Sequence, residues 1–283
     1  MTMFTEDYHL HTEFSDDSFC AMQKQVQRAI DLGLDEICFT DHVDYGIKID
    51  WDDRSLIRYR GEGEPLANVD YPVYFRKLDY MREIYGDRIT IRNGLEFGIQ
   101  VHTVPQFQEL YDRYRDVLDF VLLSCHQVED KEFWTQDYQK GRTQKEYNER
   151  YYQEIYEVMK AYKDYSVLAH LDLLSRYDEL GIYPFELLEE RIAEILKLAI
   201  ADGKGIEINT SSYKYKLPDL QPSKKILKLY KDLGGTILTI GSDAHVPDHL
   251  GDKVPETLKI AKEEFGFTEV YTFEKMKAIG HLI

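Results

Sequence analysis

Seven short apolar runs, each closing on or carrying a histidine or a carboxylate, constrain this 283-residue chain more than any other feature. The first is Tyr8-His9. Glu36-Ile37-Cys38-Phe39-Thr40 closes on Asp41-His42, and residues 89–95 close on Glu96. Phe120-Val121-Leu122-Leu123-Ser124 runs into Cys125-His126, and Val167-Leu168-Ala169 into His170. Gly205-Ile206-Glu207-Ile208-Asn209 precedes Thr210-Ser211-Ser212, and residues 236–240 precede Gly241-Ser242-Asp243-Ala244-His245. Short apolar runs bounded by turn residues are typical of strands buried on both faces. Between them lie amphipathic segments at 23–32, 72–85, 143–162, 185–201 and 223–233, several ended by glycine. Strand and helix alternate along the chain, which predicts a parallel sheet with right-handed crossovers. About seven such units at this length favour a closed or nearly closed barrel over an open sheet. The expected fold is α/β, with parallel strands and the site at their C-terminal face. No linker interrupts the pattern, so residues 1–283 are expected to form one domain.

Two stretches break the rhythm. Residues 45–69 carry Gly46, Gly61, Gly63 and Pro65 with no clean period. They read as a long loop at a strand C-terminus, where barrels place binding loops. Residues 127–141, with Trp134 and Tyr138, form a second irregular loop.

In a parallel barrel all strand C-termini meet on one face. His9 and His11, Asp41 and His42, Glu96, His126, His170, Glu207 and Asn209, and Asp243 and His245 would therefore converge. Each has an ordinary alternative. A His-x-His pair is common by chance, Asp41 and Asp243 suit helix N-caps, and His126 or His170 taken singly suits a buried core. Those alternatives need an independent accident at every strand end, so the joint metal-site reading is the stronger. Imidazole and carboxylate together suit Zn, Mn or Fe. Cys125 alone among the thiols sits at a strand end, on the opposite side from His126. A hydrolytic site with open coordination positions is thus favoured over a structural thiolate site. The ligands outnumber the needs of one ion, which implies two or three divalent metal ions with a bridging carboxylate.

Fifty-two acidic against 35 basic residues give a formal charge of −17. That balance argues against nucleic-acid and anionic-membrane partners. No apolar run approaches the roughly 20 residues of a membrane span, and the N-terminus lacks a signal-like apolar region. Three widely spaced cysteines do not make a disulfide framework. A cytoplasmic location is expected, and the oligomeric state is left open.

His9-Leu10-His11 with Ser15-Asp16-Asp17, Thr40-Asp41-His42, Gly94-Leu95-Glu96, His126, His170 and Ser242-Asp243-Ala244-His245 resemble, in order, the motifs of the polymerase and histidinol phosphatase (PHP) family. Tyr71-Pro72-Val73-Tyr74, Gly94-Leu95-Glu96-Phe97-Gly98 and Ile206 to Ser211 resemble its histidinol-phosphate phosphatase branch. The resemblance implies a distorted (β/α)7 TIM-like barrel and a trinuclear centre. It implies His9, His11, Glu96 and Asp243 on one metal, and Glu96 bridging to a second with His126 and His170. A third would take His42, His245 and Asp17, with Asp16 beside it as the alternative. Many relatives have His at that last position; a carboxylate binds the same metals.

The activity so implied is hydrolysis of L-histidinol phosphate to L-histidinol and phosphate in histidine biosynthesis, with a metal-activated water as nucleophile. The alternative is a PHP phosphoesterase acting on another small phosphate monoester or a nucleotide. The expected catalytic residues are Glu96, Asp243, His245 and Arg176. Arg176, Lys214, Asn209 and Asp41 are expected to bind substrate; the simpler roles are a surface ion pair with Asp178 or Glu179 for Arg176 and a solvated face for Lys214. Phe14, Trp51 and Trp134 are aromatic candidates near the imidazole. Two or three bound ions would add roughly four to six positive charges at the barrel mouth, reversing the local sign for an anionic ester.

Overall fold

The computed structural model describes residues 4–52, 54–61 and 63–283; residues 1–3 of the N-terminal segment read above lie outside them. Seven parallel strands neighbour one another in chain order. They are β1 (Glu6–Leu10), β2 (Glu36–Phe39), β3 (Thr90–Gly98), β4 (Phe120–Ser124), β5 (Val167–Leu168), β6 (Gly205–Asn209) and β7 (Leu238–Gly241). The sheet curls into a nearly closed barrel. Its seam between β1 and β7 is bridged at Leu10 and Ala244, where the His11 N–H donates to the Ala244 carbonyl at 3.0 Å. Below that bridge, acidic side chains replace the backbone ladder. The Ser242 N–H donates to Asp7 Oδ1 at 2.8 Å and the Ile240 N–H to Glu6 Oε1 at 3.4 Å. Burial pushes the Asp7 carboxyl up to about 6. This carboxylate-stitched seam is the distortion of the barrel.

Two irregularities aim side chains at the mouth. Pairing of β1 with β2 steps from Asp7–Ile37 to Leu10–Phe39, so Tyr8 and His9 together oppose Cys38. Such a bulge re-aims side chains. Tyr8 packs in the lower interior with Phe120, Leu122 and Phe273, while His9 turns to the site above. The second is β3, nine residues long. Its first half pairs with β2 and its second half with β4. A two-residue strand, His42–Val43, pairs with β3 beside Glu96 and sets His42 against it.

Helices cover the outside: α1 (Met22–Leu32), α2 (Tyr71–Tyr85), α3 (Val104–Tyr114), α4 (Gln144–Ala161), α5 (Glu189–Ala201), α6 (Lys224–Asp232) and α7 (Val254–Phe265). Local chemistry sets their ends. Gly33 ends α1 in the left-handed region at φ 73°. Asp70 accepts the Val73 N–H ahead of α2. Thr143 and Glu146 form a capping box on α4. The sequence reading did not include α3, α7 or the C-terminal hairpin Glu269–Glu274/Lys277–Leu282. That hairpin closes the barrel floor through Phe273, whose ring lies 5.0 Å from Phe120. Among the described residues no helix is long and apolar enough to cross a membrane.

Candidate metal centre

The strand ends deliver their side chains to one cleft of about 520 Å³. Glu96, fully buried on β3, stands at its centre. Its Oε2 lies 3.1 Å from His9 Nε2, 3.5 Å from His11 Nε2 and 2.9 Å from His42 Nδ1. Its Oε1 lies 2.9 Å from His126 Nε2 and 2.8 Å from His170 Nε2. Asp243 Oδ1 faces His11 Nε2 at 3.4 Å and His9 Nε2 at 3.8 Å. Asp17 Oδ2 sits 3.1 Å from His245 Nε2 and 3.6 Å from His42 Nε2. His170 and Asp243 occupy left-handed backbone, at φ 24° and 56°, a strain that persists where the surroundings over-determine it.

A second layer orients these groups. Glu207 Oε1 lies 2.6 Å from His9 Nδ1, and its Oε2 accepts the His170 N–H at 2.9 Å. Asp44 Oδ1 lies 2.7 Å from His126 Nδ1. Ser15 Oγ lies 3.2 Å from His11 Nδ1 and donates to Asp41 at 2.7 Å. Each of these three ring nitrogens is thereby engaged, leaving the histidine's Nε2 to face the cleft. Gly98 makes room for the Asp44–His126 pair, since a Cβ there would meet Asp44 Oδ1 at 1.9 Å.

The residues fit a cation. His9 Nε2, His11 Nε2, His42 Nδ1 and Glu96 Oε2 are buried with no hydrogen-bond partner. Buried polar atoms are ordinarily paired, and four such atoms facing one another form a set of donors with lone pairs to share. Four groups bring ligand atoms within 4.8 Å of one another: His9-His11-Asp243, His9-Glu96-His170, His42-Glu96-His126 and His11-His42-His245. Electrostatics favour the same role. Burial would raise Glu96, yet His9, His126 and His42 hold it well below the usual carboxylate range. Burial opposes, but His245 and His42 hold Asp17 low in the same way. Burial, with His245 and His42 nearby, keeps His11 well below its ordinary value, and burial likewise lowers His170. Both therefore present neutral imidazoles, the form that ligates metals.

The expected residues divide on inspection. The cleft is lined by Asp17, His42, Glu96, His126, His170, Arg176, Lys214, Asp243 and His245, with His9 and His11 buried against it. Asp16 also lines the cleft, but it stands apart from the histidines: it pairs with the buried Lys48 and lies 3.9 Å from Arg60. Arg176 turns away from Asp178 and Glu179. It donates to Asp243 Oδ2 at 3.2 Å, Ser211 Oγ at 2.7 Å and Gln221 Oε1 at 2.6 Å. Two substrate-binding expectations need correction. Asp41 is fully buried behind the ligands, with its oxygens taken by the Thr12 N–H and the Ser15 hydroxyl at 2.7 Å and the Thr12 hydroxyl at 3.0 Å. Asn209 is also fully buried, its amide shared among Glu207, His9 and Asp243 at 3.3–3.4 Å. Both position neighbours and neither reaches the cleft. Phe14 packs edge-on to Tyr74, and Trp51 donates to the Asn68 carbonyl; Trp134 alone of the three aromatics lines the cleft, together with Phe19.

The sequence reading missed Asp44, Lys48, Arg60 and Glu132. Lys48 and Arg60 lie on the long loop already marked as a binding loop, and both line the cleft. Lys48 is held by Asp16 and, at 2.8 Å, by Asp44. Arg60 bonds Glu132 at 2.8 Å and lies 4.5 Å over Trp134. Asp44 follows His42 by two positions, just past the two-residue strand, and in extended chain that is a same-side spacing that was available as a signal.

Comparison with known proteins completes the site. The family model for the PHP domain matches residues 7–211. The chain belongs to the PHP domain family. Within it, a histidinol-phosphatase of Lactococcus lactis subsp. lactis (strain IL1403) is 28% identical over 275 residues, covering 96% of this chain and 95% of that protein. A "Probable histidinol-phosphatase" of Clostridium acetobutylicum is 29% identical, covering 90% and 92%. The crystal structure of the L. lactis histidinol phosphate phosphatase, complexed with Zn, L-histidinol and phosphate, superposes with a TM-score of 0.83 at 28% identity, over 98% of this chain and 100% of that one. A Listeria monocytogenes structure at 20% identity, covering 89% and 99%, has a TM-score of 0.73 and shares the fold. This PHP chain is thus a distorted TIM-like barrel; the strand pattern predicted a nearly closed parallel barrel, and the family resemblance implied its distorted form.

Proposed function

We propose that this chain is a metal-dependent phosphatase that hydrolyses L-histidinol phosphate to L-histidinol and phosphate in histidine biosynthesis. The observation that carries the reading is the convergence of unpaired buried ligand atoms on Glu96 at the barrel mouth. The full-length likeness to a phosphatase solved with Zn, L-histidinol and phosphate supports the substrate.

His9, His11, Glu96 and Asp243 would hold one metal, Glu96 with His126 and His170 a second, and His42, His245 and Asp17 a third. The metals are two or three divalent ions drawn from Zn, Mn and Fe, the set that N/O ligands select. Bound there, they supply an activated water and positive charge for the phosphoryl oxygens. The chain's own groups do the rest. Arg176, fixed by Gln221 and Ser211, presents its guanidinium beside Asp243 to the ester oxygens. Lys214 adds a cation from the exposed rim, and Lys48 and Arg60 add two from the opposite loop. Glu96, Asp243 and His245 would contribute by holding those ions. The three cysteines are buried and unpaired, consistent with the reducing cytoplasm.

Purified protein loaded with Zn or Mn should release phosphate from L-histidinol phosphate far faster than from glycerol phosphate or a nucleoside monophosphate. Equal rates across these esters overturn the substrate while leaving a phosphatase. Release that survives exhaustive chelation overturns the metal mechanism.

A further inference from the structure

Lys48 occupies an unusual place for a cation: it is buried at the edge of the metal cleft between two carboxylates, its side chain 5% exposed and theirs 6%. One tight turn brings it there. The Asp44 carbonyl accepts the Ile47 and Lys48 N–H groups at 3.3 and 2.8 Å, so the Lys48 side chain folds back over Asp44. Gly46, at φ 96°, lets the turn seat closely, since a Cβ there would meet Asp130 Oδ1 at 2.1 Å and Gln100 Nε2 at 2.8 Å. The Lys48 ammonium lies 2.8 Å from Asp44 Oδ2 and also bonds Asp16 Oδ1. Both carboxylates lead on to candidate ligands. The other oxygen of Asp44 is 2.7 Å from His126 Nδ1. Asp16 is the chain neighbour of Asp17, whose Oδ2 faces His245 and His42 at 3.1 and 3.6 Å. The Asp17 side chain is itself 50% exposed, so its aim depends on how the backbone on either side is held. Ser18 holds one side by donating to the His245 carbonyl at 3.0 Å, and the Asp16–Lys48 pair holds the other. Arg60, 3.9 Å from Asp16, is already engaged by Glu132.

A buried carboxylate without a partner is costly, so a cation set between two of them fixes both. Among the described residues no other lysine or arginine pairs with Asp44. Groups behind a ligating histidine set its ring orientation and tautomer. We propose that Lys48 is a positioning residue joining two of the proposed metal subsites: through Asp44 it fixes the His126 ring for the second ion, and through Asp16 it fixes the loop that presents Asp17 to the third. The link rests on the metal-centre reading and deepens it. None of its bonds reaches His9, His11 or Asp243, so the first ion lies outside it. A cation that served the ester alone would act on substrate affinity, whereas a positioning residue acts on the ions, and experiment separates the two.

Stepwise zinc titration of the full chain against a chromophoric chelator tests the link, with His11→Ala, His126→Ala and Asp17→Ala variants assigning the binding steps to the three subsites. Lys48→Met should weaken the His126 and Asp17 steps by roughly 10- to 100-fold each, the range for partners behind ligands. It should leave the His11 step within about twofold, as for sites without shared partners. Asp16→Ala, which spares the Lys48–Asp44 bond, should weaken the Asp17 step alone. Added to Lys48→Met, it should cost that step nothing further, because both changes break the same bridge. Wild-type affinity at every step in Lys48→Met overturns the proposal. So does an equal loss at all three, the mark of a general structural role, or a loss at only one of the two linked steps. A wild-type titration with no step sensitive to Asp17→Ala overturns it too. Unchanged zinc affinities with a raised KM for L-histidinol phosphate also overturn it, leaving Lys48 as a cation for the ester alone. Should Lys48→Met fail to fold, Asp16→Ala decides: a weakened Asp17 step beside an unchanged His126 step supports the proposal, and unchanged affinities overturn it. A chain that binds no zinc overturns the metal centre and the link together. Zinc results as expected without selective release of phosphate from L-histidinol phosphate overturn the substrate reading and leave the link standing.

Discussion

Replacing Glu207 by Gln probes how the second layer holds the proposed metals. Glu207 is 1% exposed, and no atom of it lines the cleft. Its two oxygens serve two facing groups: His9 Nδ1 at 2.6 Å and the His170 backbone N–H at 2.9 Å. The first contact keeps the proton on His9 Nδ1, so the Nε2 lone pair faces Glu96 and Asp243. The glutamine amide in Glu207→Gln would bring one oxygen and one NH2 to the same two donors. One donor would then face another donor and be left unpaired in a dry site, a cost of about 1–3 kcal/mol. Where the cost falls on His9, the ring rotates or changes tautomer and metal affinity drops by roughly 10- to 100-fold, as for other partners of ligating histidines. Competition titration against a chromophoric chelator reads that affinity directly. Phosphate release at saturating metal separates weakened binding from lost chemistry. The ion shared by His9 should be affected most, and the one at Asp17, His42 and His245 least. Wild-type affinity and full activity in Glu207→Gln would refute the orienting role.

Four further outcomes are expected. Gly241→Ala should lower both thermal stability and metal content, because its Cβ would meet His9 Cβ at 2.3 Å and Glu207 Oε1 at 2.5 Å; overpacking of this kind costs about 1–3 kcal/mol. Tyr8→Phe should destabilise by about 1–3 kcal/mol in denaturant titration, because the buried Phe273 N–H loses its 2.9 Å acceptor and Glu36 one of its two donors, keeping Arg92; metal content should stay at the wild-type level. Metal affinity should fall as pH falls. Burial would lower His126, but Glu96 and Asp44 hold it at about 9 in the metal-free protein, so below that pH a proton must leave before the ring ligates. Metal binding at pH 8 in dilute buffer should therefore release protons, and a pH-independent affinity would contradict this. Finally, Glu96→Ala should lose activity together with bound metal, since both its oxygens face ligand histidines.

How far the sequence carried differs from residue to residue. The ligand histidines were legible because each follows or ends an apolar run, and a parallel barrel sends all such ends to one mouth. His9 and His11 were legible as a pair because a strand's period of two puts them on one side. Helix α3 was not, because few of its residues are buried, only Phe107 and Leu110. The C-terminal hairpin was missed because its outer strand, Lys277–Leu282, is almost wholly exposed and carries no alternation.

Asp41 shows where the pattern misleads. It follows an apolar run just as His42 does, yet its carboxylate turns back to the Thr12 and Ser15 loop. Asn209 and Glu207, both on β6, are alike in lying under the ligands they orient. Which side chain of a strand end enters the cleft depends on bulge, register and seam, and these are relations between strands. Periodicity along one element fixes the face a residue occupies, so the sequence by itself determined the barrel and the family of ligands at its mouth. The pairing of Asp44 with His126, of Lys48 with Asp16 and of Arg176 with Asp243 joins residues 32 to 82 positions apart. Only the tertiary structure could decide those, because each partner was chosen by which buried donor or acceptor lay within hydrogen-bond reach once the barrel had closed.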